Sequence, residues 1–357
     1  MESKFRFKSK KIYLSGLFFI CIQLLNGKEI QLEIENIKKK YYKSEYNFLV
    51  GGHLYGDPRK ATSPSNSLLN NIHKFNQLSP LFFISLGDNY RAGSDSLINN
   101  FINSFPDKLN FPFLTVMGNH DATDRAKFKE YFGKTYYDFS IGSEHFIILD
   151  SEFNDLKNQK QQIKYFDELI TKISKDNAIS NVFILTHKLL WADLFNKYSI
   201  VFQNSNNTSS YSSQREFGKN IFRSLNLIKN TKNIFWLSGD VGIWRSYPIF
   251  YEKDRQKNIT FIATGLGDTE DDMVLNIFVQ KGQVTIKGLL LNNSKYLSIK
   301  KYDLIFWENL FSNKFKTQNI LTTFKAYLLK SFSKETLKSI IFILLFIPVL
   351  FLFFFRK

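Results

Sequence analysis

Four short segments carry the residue types from which a metal centre or an acid–base site is built. They are Gly87-Asp88-Asn89, Gly118-Asn119-His120-Asp121, Thr186-His187 and Ser238-Gly239-Asp240. Each follows directly on an apolar run, at residues 81–86, 111–116, 181–185 and 234–237. Carboxylate, amide oxygen and imidazole are the donors that Mn, Fe and Zn accept. Four runs ending in such donors predict a convergent site at the rim of a sheet, where open α/β sheets bind their ligands. The glycines let the chain turn sharply, so that a donor points into the site rather than along its strand. A lone Gly-Asp or a lone His says nothing; the ordered set does. His120 beside Asp121 adds a side chain suited to proton transfer.

The elements that must position these residues follow an α/β pattern. Apolar runs of strand length lie at 46–50, 81–86, 111–116, 146–149, 181–185, 234–237 and 259–263. Helical periodicity covers 65–77, 97–105, 155–175 and 216–230, and residues 273–291 alternate like an antiparallel pair turning at Lys281-Gly282. Residues 204–214 form a polar loop, and no internal repeat is present. Near the motifs, Trp191 and Trp244 read as packing residues and Asp150 as a turn former. Asp268, Glu270, Asp271 and Asp272 read as a solvated turn rather than a calcium loop. Lys188 and Arg245 can neutralise a phosphate, although a plain surface charge is the commoner use of such residues.

The motif set over residues 44–290 resembles the calcineurin-like metallophosphoesterases, a family that includes purple acid phosphatases and many phosphodiesterases. The resemblance implies a four-layer α/β/β/α sandwich of two mixed sheets holding two divalent metals. It implies Asp88 as the bridging ligand, Asn119 and His187 as ligands of one metal, and His120 as the acid near the leaving group. Two motifs depart from the family pattern. Where the family has Asp-x-His between glycines, the chain reads Gly52-His53-Leu54-Tyr55-Gly56, placing His53 for the Asp and Tyr55 for the His. Where the family has Gly-His-x-His, the chain reads Gly239-Asp240-Val241-Gly242. One metal therefore keeps Asp88, Asn119, His187 and Asp240. The other keeps Asp88 and His53, with Tyr55 as a phenolate or Asp57 as a carboxylate in reserve. The expectation is one tight divalent ion (Mn, Fe or Zn) and a second weak one.

Composition narrows the rest. The net charge of +16 suggests nucleic acid, but the excess sits at the ends of the chain. Residues 1–11 carry Lys4, Arg6, Lys8, Lys10 and Lys11 against Glu2, and residues 295–338 carry nine Lys against Asp303, Glu308 and Glu335. These basic flanks adjoin apolar runs at 12–25 and 340–355, a pattern that membranes explain better than nucleic acid. Residues 1–27 are expected to be a signal peptide or signal anchor, and 339–355 a transmembrane helix. Residues 28–295 are expected to form a metallophosphoesterase-like domain and 296–338 a basic juxtamembrane stalk. The first segment dominates orientation, so the domain is expected on the extracytoplasmic side. The single Cys21 excludes a disulfide framework and a Cys-rich zinc site.

The reading is a membrane-anchored, metal-dependent hydrolase of phosphoric esters, with metal-activated water as nucleophile and His120, oriented by Asp121, as general acid. Its partners are a phosphorylated small-molecule or envelope substrate and the membrane, with no nucleic acid. Tyr55 and Lys188 are candidate substrate-binding residues. The alternatives are a catalytically silent envelope binding protein on the same fold and a hydrolase of a non-phosphate ester.

Overall fold

A computed structural model of the chain describes residues 30–41, 45–57, 64–153, 155–202, 212–241 and 249–312. The expected signal segment, the expected transmembrane helix, Gly242, Trp244 and Arg245 lie outside these residues. Among the described residues no helix is long and apolar enough to cross a membrane. The chain divides into two units, Met1–Leu304 and Ile305–Lys357. In the second, residues 305–312 are helical.

The first unit begins with helix α1 (30–40) and strand β1 (Glu45–Gly51). Helices α2 (Asn66–Leu69) and α3 (Ile72–Leu78) lead to β2 (Phe83–Ser85), α4 (Asp95–Ser104) and β3 (Phe113–Thr115). Next come α5 (Arg125–Phe132), the hairpin β4 (Tyr137–Ile141) and β5 (Glu144–Ile148), and α6 (Leu156–Lys175). Strand β6 (Asn181–Thr186), α7 (Ser199–Phe202), α8 (Ser212–Leu225) and β7 (Asn233–Ser238) follow. The unit closes with β8 (Ile249–Asp254), β9 (Ile259–Thr264), β10 (Met273–Gln280), β11 (Gln283–Leu290) and β12 (Tyr296–Ser298).

These strands form two six-stranded mixed sheets, ordered β12-β11-β10-β1-β2-β3 and β4-β5-β6-β7-β9-β8. The parallel core of each is fully buried, which is why β6 and β9 read as unbroken apolar runs rather than alternating ones. Between the sheets, Phe48 of β1 meets Phe146 of β5 and Phe183 of β6 edge to face at 5.3 and 5.5 Å. On the outer side of the first sheet, Phe75, Ile98, Phe101 and Phe105 cluster on Leu49 and Phe83. Helices α6 and α8 pack against each other.

The expected strands are present, and the pair at 273–291 turns at Lys281-Gly282 with Gln280 opposite Gln283. The helix expected over 65–77 is broken into α2 and α3. Asn71 explains the break: its side-chain amide donates to the carbonyls of Ser67 and Leu291, both at 2.8 Å, competing with the helical ladder. The expected stalk boundary also moves. Tyr296–Ser298 pairs with β11 as an edge strand, and the first unit runs to Leu304. A basic stretch that reads as surface can still supply a sheet edge, because an edge strand keeps one side in water.

Candidate metal centre

The carboxyl ends of β2, β3, β6 and β7 deliver Asp88, Asn119, His187 and Asp240 to one place, and the loop after β1 adds His53. Backbone hydrogen bonds stitch these loops together. The His53 N–H donates to the Gly87 carbonyl at 2.8 Å and the Tyr55 N–H to the Asp88 carbonyl at 3.1 Å. The N–H groups of Gly239 and Asp240 donate to the His187 carbonyl at 2.9 and 3.0 Å. Two of the donor residues have left-handed backbones, His53 at φ 51° and Asp88 at φ 58°. Side chains seldom hold such conformations without a surrounding structure that imposes them. Gly118 is required by crowding: a Cβ there would lie 2.2 Å from Asp88 Oδ1.

Asp88 sits between two imidazoles, with Oδ2 3.8 Å from His53 Nε2 and Oδ1 3.4 Å from His187 Nε2. His187 Nε2 also lies 3.0 Å from Asn119 Oδ1 and 4.0 Å from Asp240 Oδ2. All but Asn119 are buried. Burial alone would lower the His187 pKa, but the charges of Asp88 and Asp240 overcome it and hold the imidazole at about 10. Burial pushes His53 down to about 4 and raises the Asp240 carboxyl. It also works against ionised Asp88, yet His187 and His53 hold that carboxyl below the usual carboxylate range.

The donor set fits a divalent metal ion. His53 Nδ1–H donates to the Leu266 carbonyl at 3.1 Å, and His187 Nδ1–H donates to the Leu86 carbonyl at 2.8 Å. Both rings therefore turn Nε2, the ligating nitrogen, inward, the arrangement that outer hydrogen bonds impose on metal-binding histidines. His53 Nε2 and both carboxylate oxygens of Asp240 are buried with no hydrogen-bond partner. Buried polar atoms are normally paired, so three unpaired ones in the same pocket as Asp88 call for a ligand. Among the described residues no group of three or more His, Cys, Asp or Glu side chains stands preassembled around a metal position. The donors are instead drawn onto one another.

The acid–base residues arrange differently from the expectation. His120 is half-buried, and its Nδ1–H donates to the Arg91 carbonyl at 2.8 Å. Its Nε2 lies 3.1 Å from the Tyr55 hydroxyl. Asp121 does not orient this ring. Its buried carboxylate accepts the N–H groups of Gly118, Asp88 and Asn89 at 2.8, 2.8 and 3.0 Å. The short turn from Gly118 to Asp121 aims the carboxylate back at the backbone of the Asp88 loop, so Asp121 fixes the loops and not the imidazole. Burial, followed by the charge of Asp88, pushes its carboxyl up to about 7. Tyr55 is equally committed: burial and nearby Asp88 and Asp240 raise its pKa, so the phenolate needed for a metal ligand is disfavoured.

Lys188 lies beside the centre but is engaged. Its Nζ is 3.5 Å from Glu152 Oε2, with the two side chains 12% and 7% exposed. Glu152 is a buried carboxylate near the site that sequence reasoning missed, since no motif marks the residues after β5. Trp191 packs, with its indole N–H donating to Ser238 Oγ at 3.0 Å, and Asp150 pairs with Arg125. Asp57 sits near the Asp268 turn, its N–H 3.3 Å from Asp268 Oδ2. Asp268 and Asp272 are occupied by Ser65 and Ser67 at 2.7 and 2.5 Å. A groove of about 610 Å³ runs beside α1 and β3 and shares no residue with this centre.

A family model described as calcineurin-like phosphoesterase matches residues 61–241. The match takes in Asp88, Asn119, His120, Asp121, His187 and Asp240 and begins after His53. Comparison with curated proteins finds no match. Among solved structures, one titled "GAP50 the anchor in the inner membrane complex of Plasmodium" is similar, at 14% identity and a TM-score of 0.48. It is matched over 76% of this chain and 95% of that one. The purple acid phosphatase PPD1 from yellow lupin (Lupinus luteus) seeds is similar at 11% identity and a TM-score of 0.49. That match covers 71% of this chain and 53% of the lupin chain.

Proposed function

The chain belongs to the calcineurin-like phosphoesterase family, and on that premise we propose that it is a metal-dependent hydrolase of phosphoric esters. The observation that carries this reading is the set of inward-facing, unpaired donors, His53 Nε2 and both Asp240 oxygens, in the pocket that holds Asp88. Asp88, Asn119, His187 and Asp240 would hold one divalent ion tightly, with His53 offering a weaker second position. A bound divalent ion would supply an activated water near neutral pH and neutralise charge on the phosphoryl oxygens.

The chain's own residues supply the rest. The carbonyls of Leu86 and Leu266 fix which nitrogen each ligating imidazole presents. Asp121 pins the two loops that carry Asp88 and Asn119. His120 is held through Nδ1 by the Arg91 carbonyl and through Nε2 by the Tyr55 hydroxyl. With Nε2 exchanged from Tyr55 to a departing oxygen it would act as the general acid, a contribution of ~10²–10⁴-fold. We assign the chain to the outer face of a membrane on the strength of its apolar, base-flanked ends.

The replacement of two metal motifs favours a second reading, a binding protein that keeps the fold without turnover. One experiment separates the two: metal analysis of the purified chain, then assay of a phosphomonoester and phosphodiester panel with added Mn, Fe or Zn. Bound metal with turnover supports the hydrolase. Bound metal without turnover on any substrate supports the binding protein.

A further inference from the structure

Resting on the hydrolase reading, we propose that the Tyr55 hydroxyl is a second donor to the departing oxygen and caps the His120 imidazole once its proton has gone. The substrates this favours are phosphoric esters whose departing alkoxide or phenoxide is strongly basic, since these leave poorly without a proton.

The loop after β1 fixes Tyr55 in place. Its N–H donates to the Asp88 carbonyl at 3.1 Å, and the next two N–H groups, of Gly56 and Asp57, donate to the His53 carbonyl at 3.2 Å and to Asp268 Oδ2 at 3.3 Å. Gly56 is left-handed at φ 75°, and a Cβ on it would lie 2.6 Å from that same carboxylate. Tyr55 is 2% exposed, and its ring lies on the His53 ring with centroids 4.1 Å apart. Its hydroxyl faces the half-buried ring of His120, 3.1 Å from Nε2.

His120 is fixed from its other edge. Its backbone N–H donates to Asp88 Oδ1 at 2.9 Å, and its Nδ1 lies 2.8 Å from the Arg91 carbonyl. A carbonyl only accepts, so Nδ1 carries a proton. In the neutral ring Nε2 is then a lone pair, and the Tyr55 hydroxyl is the group that donates to it. Nε2 has one in-plane direction for hydrogen bonding, and the Tyr55 oxygen already stands in it. An oxygen that takes a proton from Nε2 must therefore come in beside that hydroxyl.

The step follows from this geometry. With a second proton on His120, the Nε2–H and the Tyr55 O–H both donate to the departing oxygen, two fixed dipoles aimed where negative charge develops. As the P–O bond breaks, its electron pair stays on that oxygen and the Nε2 proton moves to it. The lone pair left on Nε2 then accepts the Tyr55 O–H, and Tyr55 keeps its own proton throughout. The hydrogen bond between Tyr55 and His120 in the structure is the one that ends this step.

The test compares wild type, Y55F, H120N and the double variant, as full chains loaded with Zn. The substrates are the 4-nitrophenyl and phenyl esters of whichever phosphate class turns over, phenoxide being the more basic leaving group. Y55F keeps the ring on His53 and should keep its metal. It should lower kcat on the phenyl ester roughly tenfold more than on the 4-nitrophenyl ester, with KM within about twofold of wild type. H120N should do at least as much, and the double variant should lose little beyond H120N, because the two groups act as one unit. A further readout needs neither turnover nor a variant: ring-nitrogen NMR of the Zn-loaded wild type at alkaline pH should show His120 in its Nδ1–H form. Y55F should then move the Nε2 signal and leave that of Nδ1 in place. Equal losses on the two esters, full additivity in the double variant or an Nε2–H form of His120 would each overturn the proposal and leave the hydrolase reading standing. Absence of wild-type turnover on every phosphoric ester would overturn both.

Discussion

Two buried polar clusters lie at opposite ends of the strands, and they are finished to different standards. At the start of β5, Glu144 accepts Asn181 Nδ2 at 3.0 Å, the Tyr46 hydroxyl at 3.0 Å and the Ser143 hydroxyl at 2.7 Å. Asn181 goes on to donate to the Gly282 carbonyl at 2.8 Å and to accept Asn233 Nδ2 at 2.9 Å. At the carboxyl ends, Asp240 and His53 are as deeply buried, yet three of their polar atoms have no hydrogen-bond partner among the described residues. A closed network stabilises and rigidifies a fold. An open one costs stability and is retained where a ligand completes it. Burial of charge thus identifies neither cluster as functional; the unsatisfied valence does.

The comparison can be broken most directly at Asp240. Asp240→Ala should strip the tight metal, lowering affinity by 10²-fold or more in metal analysis after dialysis, while the metal-free protein unfolds in urea at an unchanged or higher midpoint. His53→Ala should leave much of the metal in place. Equal loss from both variants would show that the two positions form one site.

His120→Asn should keep metal content and fold while lowering turnover by roughly 10²-fold or more, read from kcat on the best substrate of the panel. Retention of full turnover would remove His120 from the chemistry and leave it a packing partner of Tyr55.

On the closed cluster, Glu144→Ala strands three donors and should destabilise the protein by about 3 kcal/mol in urea unfolding. Metal content should be unaffected. A loss of metal binding in that variant would mean the two clusters communicate through β5 and β6.

The smallest effect is expected at Asp254, at the end of β8. Burial would raise its carboxyl, but the ammonium groups of Lys197 and Lys257, each at 2.9 Å, hold it down at about 2. A depressed carboxyl contributes stability above its ordinary pKa near 4 and loses it as the pH falls from about 4 to about 2. With Lys197 partly exposed, solvent screening leaves on the order of 1 kcal/mol. Asp254→Asn should flatten the urea midpoint over that window, and an unchanged profile would show that Lys197 and Lys257 add nothing measurable.

Much of this was legible in the chain. Buried parallel strands must be short, apolar and closed by turn residues, so β1, β2, β3, β6, β7 and β9 could be read directly, together with the donors at their ends. What the chain left silent is equally specific. The strands β4 and β12 are short edge pieces whose half-polar patterns resemble loops. Asn71, a polar residue like its neighbours, breaks a helix only because Leu291 comes within reach from elsewhere in the fold. Adjacency suggested that Asp121 orients His120, but a tight turn carries the two side chains in different directions. The partner of His120 proved to be a carbonyl, and every residue carries one of those.

By itself, then, the sequence determined which donors exist and that they stand at strand ends, because residue type and local periodicity are properties of short segments. Only the tertiary structure decided which atoms were already satisfied. The pairing of Lys188 with Glu152 and the lack of a hydrogen-bond partner for the Asp240 oxygens among the described residues depend on distances between segments far apart in the chain, and hydrogen bonding is settled by distance.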